Sequence, residues 1–217
     1  MFDAATARRL MVEGQVRTAD VTDAGLLEAM LTVPRERFLP PSLAPLAYLD
    51  NDIPLGNGRA LLKPMVLAKL IQAARVGQED RVLDVGCGTG YSTAVLAHLA
   101  GSVIALEEDA ELARQAEGAL AAVGAARIEV VVGPLTAGWP SEAPYDLILL
   151  NGATEIAPEA LGRQLKPDGR LVGVYGRPPA AKGMIYHMIE GRLVGRPIFD
   201  AAARVLPGFI APPTFVF

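Results

Sequence analysis

The residues best equipped for chemistry lie in Asp84-Val-Gly86-Cys87-Gly88-Thr-Gly90-Tyr91, directly after the apolar stretch Arg81–Val85. Glycines let a backbone turn tightly and approach a ligand, and a helix beginning just after them offers unpaired N–H groups to a polar or negative group. A bound cofactor is implied. Glu107 follows Gly86 by roughly 20 residues, the interval at which an acid ending the next strand takes both hydroxyls of a ribose. Asp84, Gly86, Cys87, Gly88, Gly90, Tyr91 and Glu107 are therefore cofactor-binding candidates, with Asp84 either touching the ligand or organising the loop amides. A dinucleotide fingerprint needs glycine where Tyr91 stands, which counts against a dehydrogenase. Asn151, at the end of a later strand, is placed to meet substrate or cofactor, or else to make the strand-end turn.

These residues need elements to hold them. From Arg81 onward strands and helices alternate: strands at Arg81–Val85, Ser102–Leu106, Arg127–Val132, Tyr145–Leu150 and Gly169–Tyr175, and helices at Tyr91–Ala100, Ala110–Val123 and Pro158–Leu165. Apolar strands separated by helices imply right-handed crossovers and a mainly parallel sheet covered on both faces. Met184–Ile189, a turn at Glu190-Gly191-Arg192, and an extended stretch around Ile198–Leu206 predict an antiparallel hairpin at the sheet edge. Upstream, helical periodicity predicts two helices within residues 3–33. Prolines at 34, 40, 41, 45, 54 and 64 interrupt an apolar segment that reads as an ordered loop region. The expected fold is α/β: a doubly wound, seven-stranded Rossmann-like sheet with a C-terminal hairpin. Residues 1–78 form a helical flank with the substrate loop, residues 79–217 the cofactor-binding part, and the two make one structural unit.

Composition narrows the partners. The 217 residues are 51% hydrophobic and 20% charged, which supplies a core and rules out a disordered chain. A net charge of −4 and no basic block longer than Arg8-Arg9 argue against duplex nucleic acid. One cysteine and two histidines leave no metal site to expect. The uncharged run Val85–Leu106 is long enough to cross a bilayer, but its glycines and hydroxyls read as loop and short helix, so no membrane span is expected. With no signal-peptide pattern, a cytoplasmic location is expected. The oligomeric state, monomer or dimer, stays open. Cys87 is expected to fit a tight turn, His98 to pack or to contact a helix end, His187 to sit on an edge strand, and Trp139 to pack its loop down.

Upstream and downstream segments carry a narrower resemblance. Met11-Val-Glu-Gly-Gln-Val-Arg17, Val33-Pro-Arg-Glu-Arg-Phe38-Leu-Pro40, Ile53-Pro-Leu-Gly56-Asn-Gly58, Pro144-Tyr145-Asp146 and Gln164-Leu-Lys-Pro-Asp-Gly-Arg-Leu171 resemble the protein-L-isoaspartate O-methyltransferases, class I enzymes dependent on S-adenosylmethionine. The resemblance runs from about Met11 to Gly176 and leaves out the Pro/Phe-rich C-terminal end. It implies S-adenosyl-L-methionine as cofactor, S-adenosyl-L-homocysteine as product, and as partner a protein or peptide carrying isoaspartate or another carboxylate acceptor. Such an acceptor is already ionised near neutral pH, so the chemistry is alignment of oxygen, methyl carbon and sulfur rather than proton removal.

Two departures stand out. The family's substrate loop reads G-x-G-Q-T-I-S-Q-P, where this chain has Gly56-Asn-Gly58-Arg59-Ala60-Leu61-Leu62-Lys63-Pro64. Ala60 and Leu62 take the two hydroxyl positions, and Arg59 and Lys63 add positive charge. These four are the candidate catalytic positions: either Arg59 or Lys63 holds the acceptor carboxylate, or the chain binds the cofactor without isoaspartyl repair. The family's G-D-G step facing the adenine becomes Gly133-Pro134-Leu135, which keeps Gly133 as a cofactor candidate and removes an acid.

Overall fold

A computed structural model of the chain describes residues 3–212. The Pro/Phe-rich end, residues 213–217, lies outside the described residues. Seven strands form one sheet in the order β5-β4-β3-β6-β7-β8-β9, and β1 (Ile53–Gly56) pairs with β2 (Arg59–Leu61) in a separate hairpin. The central strands are β3 (Arg81–Val85), β4 (Ser102–Glu107), β5 (Ile128–Val132), β6 (Tyr145–Thr154) and β7 (Leu165–Tyr175), and all pair in parallel. Strands β8 (Lys182–Ile189) and β9 (Arg192–Asp200) complete the sheet antiparallel. The order reverses between β3 and β6, which opens a crevice at the carboxyl ends of those strands, where open α/β sheets take ligands.

Side chains alternate along the strands, so the sheet divides the core in two. Val82, Val103, Ala105, Leu147, Leu149 and Val172 face one apolar layer with the N-terminal helices. Leu83, Val85, Ile104, Leu106, Ile148 and Leu150 face the other, with Leu161 and Leu206. The flank supplies α1 (Ala4–Met11), whose N-terminus Asp3 caps by accepting from Ala5 and Thr6 amides, and α2 (Ala24–Thr32), capped by Asp23 through Leu26 N–H. Helices α4 (Tyr91–Ala97), α5 (Ala110–Ala122) and α6 (Glu159–Gly162) follow the sheet's crossovers.

Several elements differ from the sequence expectation. Helix α3 (Pro64–Ala74) was not foreseen, although Pro64 at its first position and the spacing of Val66, Leu67, Leu70, Ile71 and Ala74 are its signature. The expected helix over residues 158–165 shrinks to the single turn of α6, because β7 begins already at Leu165 and pairs with Tyr145. The hairpin's second strand is Arg192–Asp200 rather than the stretch around Ile198–Leu206. Residues past β9 instead return to the end of β6, where Ala153 N–H donates to Arg204 O at 2.8 Å and Leu206 N–H to Ala153 O at 2.9 Å. His187 lies exposed on β8, an interior strand, and His98 is the exposed C-cap of α4.

At the opposite end of the sheet Arg170 of β7 ties several elements together. Its Nε donates to Ala74 O at 2.6 Å, Nη1 to Asp146 O at 2.9 Å, and Nη2 to Arg75 O at 2.9 Å and Asp80 Oδ2 at 2.6 Å.

Candidate functional site: the glycine loop and the hairpin over it

Gly86, Gly88 and Gly90 have φ of +73°, +58° and +94°, a region in which any side chain is strained. The loop is pinned to β4, with Gly86 and Cys87 amides both donating to Leu106 O at 2.8 and 3.1 Å. Gly90 then caps α4. Cys87 is buried, and burial pushes its thiol well above the ordinary value, which leaves it packed and unreactive.

Asp84 lies wholly inside. Its carboxylate accepts from Ser92 Oγ at 2.8 Å, Thr93 Oγ1 at 2.6 Å and Asn151 Nδ2. Asn151 Nδ2 also reaches Ser92 Oγ at 2.8 Å. Asp84 thus ties the first turn of α4 to Asn151, whereas the loop amides donate elsewhere, those of Gly86 and Cys87 to Leu106 O and that of Gly88 to Glu107 Oε2. Asn151 is turned onto the same network rather than outward to a ligand.

Burial raises Asp84 from 3.8 to about 6, against the lowering by the Thr93 and Ser92 hydroxyls. A folded-state value above the unfolded one stabilises the protein below the unfolded value, and that contribution is lost as pH rises through about 6. Asp84→Asn removes the titration. Its stability relative to the native chain is therefore expected to improve by about 1–1.5 kcal/mol between about pH 5 and about pH 8. Paired thermal melts check this, and a pH-independent difference would refute it.

Glu107 has no exposed surface, and its carboxylate is fully engaged. Oε1 accepts from Glu108 N–H at 2.9 Å and Asp109 N–H at 3.3 Å, and Oε2 from Gly88 N–H at 2.7 Å. The remaining positions go to Arg59, whose Nε lies 3.3 Å from Oε1 and Nη2 3.0 Å from Oε2. Arg59 Nη2 also donates to Gly86 O at 2.6 Å. The guanidinium, 3% exposed, therefore does not face an acceptor carboxylate. It lies on the acid that the sequence assigns to ribose.

A two-stranded hairpin delivers Arg59 there. Strands β1 (Ile53–Gly56) and β2 (Arg59–Leu61) join through Asn57-Gly58, both at positive φ (+46° and +73°). Asn-Gly with two left-handed residues is the favoured tight hairpin turn, and that dipeptide was the signal by which the hairpin could have been found. Asn57 Nδ2 ties the tip to Asp109 Oδ2 at 2.7 Å.

The hairpin covers the glycine faces. A methyl group built on Gly86 would stand 2.5 Å from Arg59 Nη2 and 3.2 Å from Leu206 Cδ2, and one on Gly88 2.9 Å from Leu55 Cδ1. Leu55 and Leu206 are site residues that sequence reasoning missed. Leu206 carried no signal, since its place depends on the chain's return from β9.

Other candidates lie around this centre. Ala60 and Leu62 are buried, Leu62 within the core beside α3. Arg35, fully buried, anchors the segment by donating from Nη2 to Leu62 O at 2.6 Å and from Nε to Ala47 O at 2.7 Å. Its guanidinium carbon stands 4.6 Å from the centroid of the Tyr91 ring, a cation–π contact that holds Tyr91 in the interior. Burial lowers the pKa of Arg35 and raises that of the Tyr91 phenol. Lys63 is half-buried, and its amide donates to Asp52 Oδ1 at 2.9 Å. It borders an open depression of about 420 Å³ with Asn51, Asp52, Ala202 and Arg204. Gly133 lies beside Trp139, whose ring carbon would be 3.3 Å from an added methyl, so Trp139 packs the loop after β5. Among the described residues no group of three or more His, Cys, Asp and Glu side chains could hold a metal ion, and no helix is long and apolar enough to cross a membrane.

The glycine loop and its acid are of the type that binds a ribose-bearing methyl donor. Their types fit such a donor, and as arranged the β1–β2 hairpin stands where it would bind. A carboxylate offers about four acceptor positions, and those of Glu107 are taken by three backbone amides and Arg59, with Leu55 and Leu206 against the glycines.

Comparison with known proteins gives the architecture a family. Residues 7–178 match the profile of the protein-L-isoaspartate(D-aspartate) O-methyltransferases. The chain is 43% identical over 190 residues to a protein-L-isoaspartate O-methyltransferase of Methylorubrum extorquens, covering 88% of this chain and 82% of that protein. It is 44% identical over 178 residues to one of Methylorubrum populi, covering 82% of each. Among solved structures, a putative protein-L-isoaspartate O-methyltransferase of Plasmodium falciparum in complex with S-adenosyl-L-homocysteine superposes with a TM-score of 0.76 at 18% identity, over 95% of this chain and 99% of that one. That likeness extends the agreement in fold through the C-terminal hairpin. With its profile match, its relatives and its strand order all agreeing, the chain belongs to the protein-L-isoaspartate(D-aspartate) O-methyltransferase family.

Proposed function

We propose that the chain transfers a methyl group from S-adenosyl-L-methionine to a carboxylate on a damaged protein, with an isoaspartyl residue as the acceptor class and the cytoplasm as its place of action. The observation that carries this reading is the left-handed glycine loop between β3 and α4, set against Glu107 at the carboxyl end of the neighbouring strand β4. The donor would supply an activated methyl, so the protein's task is to bind, orient and exclude water.

The depression bordered by Lys63 and Arg204 supports the acceptor side. It adjoins the Ala60–Lys63 segment and brings two cations together with Asp52, whose carboxyl burial raises. An acceptor carboxylate entering there meets net positive charge and needs no base.

The test is methyl transfer from labelled donor, at millimolar concentration, to an isoaspartyl peptide, with the aspartyl peptide of the same sequence as control. Base-labile label on the isoaspartyl peptide alone is expected. Equal labelling of both, or label on neither, would refute the acceptor assignment. Lys63→Glu is expected to raise KM for the peptide several-fold with little change in donor affinity. Loss of donor affinity instead would show that Lys63 acts on the other ligand.

A further inference from the structure

We infer that Arg59 is the residue that sets donor affinity in this chain, by occupying the ribose-diol position on Glu107 as an internal competitor. The inference rests on the reading of the site as one for a ribose-bearing donor, and goes beyond it by making the affinity a property of the β1–β2 hairpin.

Three observations converge on it. The guanidinium of Arg59 reaches both oxygens of Glu107, at 3.3 and 3.0 Å, which are the two bonds that a ribose diol would make to one carboxylate. Its third bond, to Gly86 O at 2.6 Å, lays it across the first glycine of the loop, where a ligand would have to pass. The hairpin is fastened at its tip by Asn57 on Asp109 and closed on the second glycine by Leu55, so the guanidinium arrives with its own cover. A paired arginine buried to 3% exposure is not a solvated charge beside a loop. A charge-assisted, two-point contact of this kind outlasts any single neutral hydrogen bond that a hydroxyl could offer in its place.

Competition of this kind lowers the apparent affinity by the fraction of molecules in which Glu107 is free. It also makes the affinity sensitive to residues that never touch the ligand. Asn57 is one: it fastens the hairpin and leaves the Arg59–Glu107 pair intact.

The experiment is calorimetry of the full chain with S-adenosyl-L-homocysteine, comparing the native protein with Arg59→Gln and Asn57→Ala, each checked by circular dichroism and melting. Arg59→Gln leaves Glu107 its three backbone donors. It is expected to bind at least tenfold tighter than the native chain, and Asn57→Ala at least threefold tighter. Adenosine should show the same order, whereas 2′,3′-dideoxyadenosine, which lacks the diol, should gain nothing from either substitution. Equal affinity in all three proteins overturns the role of Arg59 and leaves the donor reading standing. No binding by any folded variant overturns both. Should Arg59→Gln fail to fold, Asn57→Ala alone decides, and native-like affinity there overturns the inference.

Discussion

Glu107→Ala is expected to lower the melting temperature by roughly 6–20 °C. Removing one member of a buried ion pair costs about 3–5 kcal/mol because the other is left charged and unpaired. For a chain of this size each kcal/mol is worth roughly 2–4 °C. Here the stranded group would be Arg59, 3% exposed, with only Gly86 O still in reach. The amides of Gly88, Glu108 and Asp109 would lose their acceptor as well. A pair of changes separates charge from packing. Arg59→Met with Glu107→Gln removes both charges and keeps one acceptor oxygen, enough for the Glu108 and Asp109 amides that share Oε1 but not for Gly88 N–H at Oε2, and is expected to recover part of the loss. If the double variant melts no higher than Glu107→Ala, the pair is not what holds the hairpin down.

The second large effect concerns turnover. In the family pattern two hydroxyls meet the acceptor carboxylate, and this chain has Ala60 and Leu62 in their places. One hydrogen bond to a charged group is worth ~1.5–3 kcal/mol, or roughly 10- to 150-fold in rate. Isoaspartyl methylation by the native chain is therefore expected to be slow. The structure also says which hydroxyl to restore. Leu62 belongs to the core, so Leu62→Ser would open a cavity and strand a hydroxyl at a cost of several kcal/mol. Ala60 is small and at the margin of burial, at 9% exposed. Combining Ala60→Thr with Arg59→Gln restores one hydroxyl and frees Glu107 together, and kcat/KM for an isoaspartyl peptide is expected to rise at least tenfold above the native value. Rapid turnover by the native chain would show instead that Lys63 or backbone amides already hold the acceptor.

What could be read from the sequence divides by the distance over which a residue acts. Gly86, Gly88, Gly90 and Glu107 were legible because backbone geometry and a strand–helix–strand repeat fix their relation within roughly 20 residues. The sheet was legible for the same reason: each β-branched strand sits beside the helix that returns the chain. The partner of Glu107 was not, since Arg59 comes from a hairpin 48 residues earlier and nothing in its neighbourhood says where its guanidinium will go. Leu206 reaches the same place only because β9 ends early and the chain folds back onto Ala153. Helix α3 was hidden for a different reason. Its core-facing run of Val66, Leu67, Leu70 and Ile71 sits directly behind a proline-broken segment, and Pro64 begins the helix although prolines elsewhere in that segment interrupt structure.

Arg170 gives the chain a property of another kind. One guanidinium from β7 holds the last carbonyls of α3, the Asp80 carboxylate before β3 and the Asp146 carbonyl of β6, so it reaches across position 78 to both sides. A fragment beginning at residue 79 would keep every strand of the large sheet and still lose two of the four acceptors that this side chain uses. It would also bare the apolar layer that α3 covers. Truncation at that point should therefore give an aggregating product rather than a smaller nucleotide-binding module, and hydrogen exchange should find α3 and β7 opening together, as one cooperative unit.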